Sequence, residues 1–483
     1  MKLLGIRICE HDSNFSYFDG NKVHYLKTER KYQIKHHGVK NLHIWKDIIY
    51  EQWGIQTKDL NEIAIVFDPW SYNLNSREEN FFPSKHIDFP IDCRITRVNH
   101  HYAHHLSCWP LIKNPAFYNG ICIDGFGDYD KAWTVFVNNE IKEEGSSMKN
   151  GSIGMHMSLM RNHFNLQGDH LDIAGKIMSL QSFGNIDHDY LKFLSKFSIR
   201  DVNFIFNHTY YIDKWQDKLN WLRTIHEYVG VIILQHLFEN FKKEETFLYT
   251  GGVALNVCWN TKIKSFFKNV IIPPHTNDEG LSLGALEFLR LKHNLPQFKI
   301  DNFPFCQSDE SPVNEPSQQV YNKVAELLTK QNIIGWYQGH GEIGPRALGH
   351  RSILADPRDK DMRDKVNLIK KREDFRPFGC STIDEDFNDS DFMLFADRIN
   401  TQEYPAVSHI DNTTRHQKVN QSNGLHTLLH DFKRLTNCGT LLNTSLNING
   451  KPLASSKKDA MQLLQNSSLD GLVYGNELYL KNG

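Results

Sequence analysis

Two stretches of the chain, residues 3–29 (LLGIRICEHDSNFSYFDGNKVHYLKTE) and 120–144 (GICIDGFGDYDKAWTVFVNNEIKEE), run through the same succession of elements. Each begins as an apolar strand and breaks into a turn rich in Asp, Gly or Ser. Each then resumes as a strand, turns tightly at Asp19-Gly20-Asn21 or Asn138-Asn139, and ends in a third strand. A repeated strand–turn–strand unit constrains the fold more than any single element, because two copies predict two similar sheets.

Two such β-meander halves, each followed by helical segments, make up an α/β fold of the actin/hexokinase/Hsp70-like kind, which holds nucleotide phosphates between the halves at the first turns. The words ICIDGFG (121–127) and LYTGGVALN (248–256) carry strands into glycines, where backbone N–H groups can close on phosphate. Glycine also serves ordinary turns, so each word alone says little. At 483 residues the chain exceeds one core of ordinary size. The segment 295–317 (LPQFKIDNFPFCQSDESPVNEPS) holds four prolines, which resist helix and central strand alike. It divides a domain at 1–300 from one at 318–483, with 301–317 as linker. The second domain reads as mixed α/β, with helices over 316–330, 361–371 and 455–465, a buried strand over 333–338 and a hairpin over 471–480.

Histidines are densest in NHHYAHH (99–105). His100 and His104 are four apart and would stack on one helix face, about 6 Å from each other, close enough to share a metal ion. His101 and His105 repeat that spacing on an adjacent face. Asp278, in the loop PPHTNDEG (273–280), is the best third ligand. Two imidazoles and a carboxylate suit Fe(II), Mn or Zn. In the C-terminal part, Arg346, Arg351 and Arg376 stand beside Gly, Pro and apolar residues rather than in a charge run. Such arginines either pair with acids, for which Glu342, Asp356 and Asp374 are candidates, or await an anionic ligand. By contrast, residues 359–373 alternate charge sign at helical spacing and read as a mostly exposed face.

A formal net charge of -2 argues against a dedicated nucleic-acid coat. No apolar run approaches the roughly 20 residues that span a bilayer, and the start MKLLGIR lacks a signal peptide's apolar block. The expectation is a soluble, cytoplasmic protein without membrane contact. The eight cysteines form no CxxC pair and read as reduced.

The words GIRICEHDS, TERKYQIKHHG, NHHYAHH, IDGFGD, GGVALN, PPHTNDEGLSLGAL, GEIGPRALGHRSILADPR, DFRPFG and LLNTSLN occur in this order along the chain. With them the sequence resembles the NodU/CmcH/TobZ-type O-carbamoyltransferases over nearly its whole length. That resemblance implies an actin-like domain joined to a YrdC-like domain. The YrdC-like domain would convert carbamoyl phosphate and Mg-ATP to carbamoyl-adenylate, releasing phosphate and pyrophosphate. The actin-like domain, with iron, would transfer the carbamoyl group to a hydroxyl. It further implies His100, His104 and Asp278 as metal ligands, and Arg346, Arg351, Arg376, Arg415, Asn443 and Ser445 at the carbamoyl phosphate and ATP site. Gly251, Gly252 and Asn256 would meet the adenylate, with Asp124 and Gly125 in the phosphate-facing turn. His11 or His36, beside Asp12, would serve as base. The family's EGKxMGLA word is AGKIMSLQ here (174–181), which leaves Lys176 as a catalytic candidate.

For the acceptor, RNHFNLQGDHLDIAGK and HTNDEGLSLGAL resemble a phage branch of the family, which implies 5-hydroxymethylcytosine in DNA and an infected bacterial host. A small-molecule hydroxyl, on a sugar, an antibiotic or a nodulation-factor-like compound, is the alternative. Two further readings are a tRNA threonylcarbamoyl-type enzyme, which would need a broad basic surface, and a non-catalytic nucleotide-binding scaffold, which would not need the metal triad or the arginines.

Overall fold

The computed structural model describes residues 1–39, 44–67, 93–113, 118–207 and 217–481. The chain divides into two compact units, Met1–Glu29 with His36–Phe303, and Arg30–Lys35 with Pro304–Gly483.

In the first unit, strands β1 (Leu3–Ile8), β2 (Asn14–Phe18), β3 (Val23–Lys27), β4 (Glu62–Phe67) and β5 (Arg94–Arg97) form a sheet in the order β3-β2-β1-β4-β5. The first three are an antiparallel meander, and β4 and β5 run parallel to β1. Strands β6 (Asn119–Gly127), β7 (Lys131–Val137), β8 (Glu140–Ser146), β9 (Phe247–Thr250) and β10 (Val270–Ile271) repeat the arrangement as β8-β7-β6-β9-β10. Their senses repeat too, with β7 antiparallel and β9 parallel to β6. This is the duplicated actin/hexokinase/Hsp70-like architecture that the two matching stretches predict. Asn138 and Asn139, with φ of 51° and 64°, make the second tight turn in the left-handed region that hairpins favour.

Every residue of β1 is buried, as expected of a central strand covered on both faces. One cover is the helix Leu281–Lys292, which approaches so closely that a Cβ at Gly5 would lie 2.2 Å from the Ser282 carbonyl oxygen. The same helix meets helix His100–Leu106, where a Cβ on Gly284 would fall 1.9 Å from the Ala103 carbonyl.

The second unit is a mixed α/β layer built on one eight-stranded sheet. Its strands are β11 (Ile334–Tyr337), β12 (Arg351–Ala355), β13 (Gly379–Thr382), β14 (Ala396–Arg398), β15 (Thr413–Lys418), β16 (Thr440–Ser445), β17 (Gly471–Tyr474) and β18 (Glu477–Leu480). Their order is β14-β15-β13-β16-β12-β11-β17-β18. The predicted helices are observed at Gln318–Thr329, Met362–Lys370 and Lys457–Asn466, and β17 and β18 form the predicted hairpin. Val324, Leu328, Trp336, Leu354, Leu428 and Leu442 belong to its core.

The proline-rich segment differs from a free linker. Its prolines keep it irregular, yet Gln307 bridges to Gly341, the Tyr337 hydroxyl donates to the Glu310 carbonyl at 2.6 Å, and Asp309 pairs with Arg351 at 3.0 Å. From position 304 onward it is part of the second unit. Residues 30–35 join that unit as well, where Gln33 donates its amide to the Leu453 carbonyl and the Ser455 hydroxyl at 3.1 and 3.0 Å. Among the described residues no helix is long and apolar enough to cross a membrane, and all eight cysteines are free.

Candidate active site

Asn99 caps the helix His100–Leu106 by accepting from the Tyr102 N–H, which fixes where the histidine repeat begins. His100 and His104 then project from one face, with ring centroids 4.9 Å apart. Asp278 reaches them from the turn Asp278–Gly280 that opens helix Leu281–Lys292. A fourth group joins this predicted triad. Asp124, at the end of the apolar run of β6, places Oδ2 3.1 Å from His100 Nε2 and 3.4 Å from His104 Nε2. Asp278 Oδ1 lies 3.4 and 3.3 Å from the same nitrogens. One ligand atom from each of the four buried residues falls within 4.8 Å of the others.

The neighbours hold these carboxylates in place. The Gly252 N–H donates to Asp124 Oδ1 at 2.8 Å, Arg7 donates to Asp278 Oδ2 at 2.9 Å, and the Asn14 amide donates to the Asp278 carbonyl at 2.9 Å. Burial opposes ionisation, but the imidazoles outweigh it at both aspartates and Arg7 adds to the effect at Asp278, so both stay well below the usual carboxylate range. Burial likewise opposes charge on His100, yet the two carboxylates raise its pKa to about 10. The buried His104 ring nitrogens make no hydrogen bond. Two imidazoles and two carboxylates converging in a buried site, with an orphaned ring among them, fit a divalent transition metal.

The second histidine pair belongs to the core instead. His101 packs its Nδ1 2.8 Å from the Thr134 hydroxyl, and His105 its Nε2 2.7 Å from Asn139 Oδ1. Burial, reinforced at His101 by the His100 charge, pushes the two pKa values down to about 3 and 4.

Beside this cluster, Asp12 stands between two imidazoles. His11 Nδ1 lies 3.3 Å from its Oδ2, and His36 Nδ1 lies 3.2 Å from both oxygens. The helix His170–Leu180 brings Asp172 to 3.5 Å from His36 Nε2. Lys176, on the same helix, is buried and turns back to donate to the Gln167 carbonyl. Gly251 sits at φ 90°, where a Cβ would meet the Ile123 carbonyl at 2.2 Å. Asn256 caps the helix Val257–Phe266, and its Nδ2 is 2.9 Å from His226 Nε2, so both ends of its amide serve the fold. Gly125 adjoins Asp124, and its carbonyl accepts from the Ser152 hydroxyl at 2.6 Å.

In the second unit, Arg346, Arg372 and Arg376 lie close enough to Arg415 to act on its charge. Arg415 is held well below the usual guanidinium range first by burial and then by these three cations. Lys370 is buried too, and burial with Arg372, Arg376 and Lys35 depresses its pKa. Its ammonium donates to the Ser445 carbonyl and hydroxyl at 2.6 and 2.9 Å and to the Asn447 carbonyl at 2.7 Å. Ser445 therefore reaches this cluster through Lys370. Asn443 donates to the Ser381 hydroxyl at 2.7 Å and to the Ala347 carbonyl, next to Arg346, at 3.3 Å.

Arg351 is placed differently from expectation. It is fully buried, ion-paired with Asp309, spends its terminal nitrogens on the Gln338, His350, Glu310 and Gly339 carbonyls, and stacks 3.5 Å over the Tyr337 ring. None of the three acids considered from sequence is that partner. Glu342 instead accepts backbone N–H bonds from Leu348, His350 and Arg351 on one oxygen, at 2.8 to 3.0 Å. The charged stretch 359–373 also departs from the exposed-face reading at its end, where Lys370 is buried and Arg372 half-buried against the Phe378 ring at 3.7 Å. The sequence reading missed Lys370 and Arg372 in the cation cluster, and it missed Asp124 as a member of the buried four-residue group. Proximity of KKR to the FRPF word was the available signal for the first two.

Residues 84–286 match the family model described as carbamoyltransferase N-terminus, and residues 325–481 match carbamoyltransferase C-terminus. Nodulation protein NolNO of Sinorhizobium fredii is 27% identical over 96% of this chain and 78% of its own length. Nodulation protein NolO of Bradyrhizobium diazoefficiens is 32% identical over 48% of each chain. The 3'-hydroxymethylcephem-O-carbamoyltransferase of Amycolatopsis lactamdurans is 29% identical over 64% of this chain and 65% of its own. The chain thus spans about half to two thirds of the length of the latter two.

Proposed function

Since the chain belongs to the carbamoyltransferase family, we propose that it carbamoylates a hydroxyl group in two stages, one in each unit. In the second unit Arg346, Arg372, Arg376, Arg415 and Lys370 bind carbamoyl phosphate and Mg-ATP. Their charge offsets that of the two anions while water cleaves carbamoyl phosphate to carbamate and phosphate, and the carbamate oxygen then attacks the α-phosphorus of ATP to form carbamoyl-adenylate and release pyrophosphate. Each such contact is worth about 2–4 kcal/mol of transition-state stabilisation.

In the first unit the acceptor oxygen attacks the carbamoyl carbon, its proton passes to His11 Nε2, and AMP departs. Asp12 orients His11 by accepting from Nδ1–H, which leaves Nε2 for the acceptor. His36, held by the same carboxylate, lends positive charge to the leaving adenylate. A divalent metal on His100, His104, Asp124 and Asp278, with iron(II) among the ions this set suits, would supply a Lewis acid for the carbamoyl oxygen.

The observation that carries this reading is the presence of both sets in one chain, four convergent ligands in one unit and a buried gathering of cations in the other. A small-molecule hydroxyl is the favoured acceptor. One relative is named for the hydroxymethyl group of a cephem, and a net charge of -2 gives no surplus for a phosphate backbone. Hydroxymethylcytosine in DNA, which the phage-branch resemblance implies, is the competing acceptor.

The test supplies Mg-ATP, labelled carbamoyl phosphate and Fe(II), Mn(II) or Zn(II) to the full chain. Pyrophosphate release is followed without acceptor, and label is followed on hydroxylated small molecules, a hydroxymethylcytosine duplex and tRNA. Carbamoyl phosphate-dependent pyrophosphate release and label on a small molecule are expected. His100→Ala should keep the first and lose the second, and loss of both rejects the division of labour. Label on the duplex or on tRNA alone would overturn the acceptor.

A further inference from the structure

Lys27 ends β3 with its side chain only 4% exposed. Its Nζ lies 2.7 Å from Glu279 Oε1, 3.2 Å from Glu29 Oε2 and 3.4 Å from Asp12 Oδ1. These acids come from separate parts of the site. Glu279 follows the metal-ligand candidate Asp278, whereas Asp12 carries the two imidazoles. Asp12, Glu29 and His36 have ligand atoms close enough together to hold a metal ion. The ammonium of Lys27 lies against two of those three groups, so the chain brings its own cation to that place.

The strand register explains why a lysine can do this. Lys27 is the direct cross-strand partner of Asn14 on β2, which puts both side chains on one face. Asn14 donates to the Asp12 carbonyl at 2.7 Å and to the Asp278 carbonyl at 2.9 Å. The pair therefore spans the same two segments twice, once through backbone carbonyls and once through carboxylates. Tyr25, two residues before Lys27, adds a hydroxyl bond of 2.6 Å to the Glu279 carbonyl. A lone buried ammonium would be costly, and a single acid could balance it. Contact with Glu29 beside it and with Asp12 and Glu279 from two other segments instead makes it a spacer.

We propose that Lys27 is a positioning residue for the transfer step. Its ammonium fixes Asp12, and through Asp12 the imidazoles of His11 and His36, relative to the turn that carries Asp278. The inference rests on His11 acting as base in the proposed function.

The test compares Lys27→Met, Lys27→Arg, Asp12→Asn and the Lys27→Met/Asp12→Asn double variant in the full chain. Lys27→Met should lower the transfer kcat about 100-fold while changing the KM for acceptor less than about threefold. Pyrophosphate release and bound metal should stay at wild-type levels, and Lys27→Arg should recover about tenfold of the loss. On the Asp12→Asn background, Lys27→Met should cost less than about twofold, because its effect passes through Asp12. Wild-type transfer by Lys27→Met would overturn the proposal. So would full multiplication of the two losses, or a parallel fall in pyrophosphate release and metal content, which would mark a purely structural lysine. If Lys27→Met does not fold, the same cycle with Lys27→Arg decides by the same criterion. Transfer that survives His11→Ala would instead reject the base assignment.

Discussion

The backbone N–H of Gly252 donates to Oδ1 of Asp124 at 2.8 Å, and this bond turns the other oxygen, Oδ2, toward His100 and His104. A Cβ at Gly252 would sit 2.9 Å from that Oδ1. Gly252→Ala should therefore weaken divalent-metal binding roughly 10- to 100-fold, and Asp124→Ala at least as much. Competition against a chromogenic chelator measures both, with circular dichroism as the control for folding. Wild-type affinity in Asp124→Ala would remove it from the ligand set.

Helix–helix contact supports the same site from behind. At Gly284 an added methyl meets the Ala103 carbonyl carbon at 2.6 Å as well as its oxygen, all backbone, so no side chain can swing aside. Gly284→Ala should cost about 1–3 kcal/mol, read as a lower denaturant midpoint, and should loosen metal binding because His104 follows Ala103, the residue that the new methyl displaces. An unchanged midpoint would show that the two helices can part without penalty.

The cation cluster should respond to anions alone. Lys370, Arg372 and Arg415 are each depressed first by burial and then by neighbouring cations, Arg376 among them in every case, so a bound phosphate relieves repulsion. Inorganic phosphate or pyrophosphate should raise the melting temperature, and at 100-fold over Kd the gain is about 2.7 kcal/mol. Lys370→Met should remove most of that response. A melting temperature indifferent to both anions would contradict the assignment.

Transfer should favour alkaline conditions. Burial pulls the His11 pKa down, but Asp12 and the nearby Asp278 charge outweigh it and carry the group up to about 9. A base works in its neutral form, and a raised pKa means that form is scarce at pH 7. The transfer rate should climb about tenfold per pH unit up to about pH 9 and then level, whereas pyrophosphate release should not follow that curve. Asp12→Asn removes the main attraction, so its residual activity should titrate at lower pH. A flat profile between pH 6 and 9 would exclude His11 as the base.

Much of the first unit could be read from sequence because its signals are local. The meander repeat and the histidine spacing each declare themselves within a few residues. The family resemblance, not a local pattern, put Asp124 in a phosphate-facing turn. Its approach to the imidazoles depends on how helix His100–Leu106 lies against β6, which no local pattern encodes. Lys370 and Arg372 were hidden by the opposite problem. They lie at and just past the end of a helix whose outer face is charged, and periodicity cannot show that the chain there turns toward Phe378 and β16. Arg351 departs from its expected role because its acid, Asp309, lies in the proline-rich segment that reads as a linker. The acceptor left no short word tied to a physical contact.

Residues 30–35 have a consequence for how such a chain can be cut and exchanged. The polypeptide leaves the first unit after Glu29, returns at His36 and leaves again after Phe303. No single scission releases the second unit whole, and a clone opened at Pro304 would lack the strip whose Gln33 holds Leu453 and Ser455. Chimeras that trade C-terminal halves between relatives must bring this N-terminal strip along, or graft a matched one, to preserve both halves.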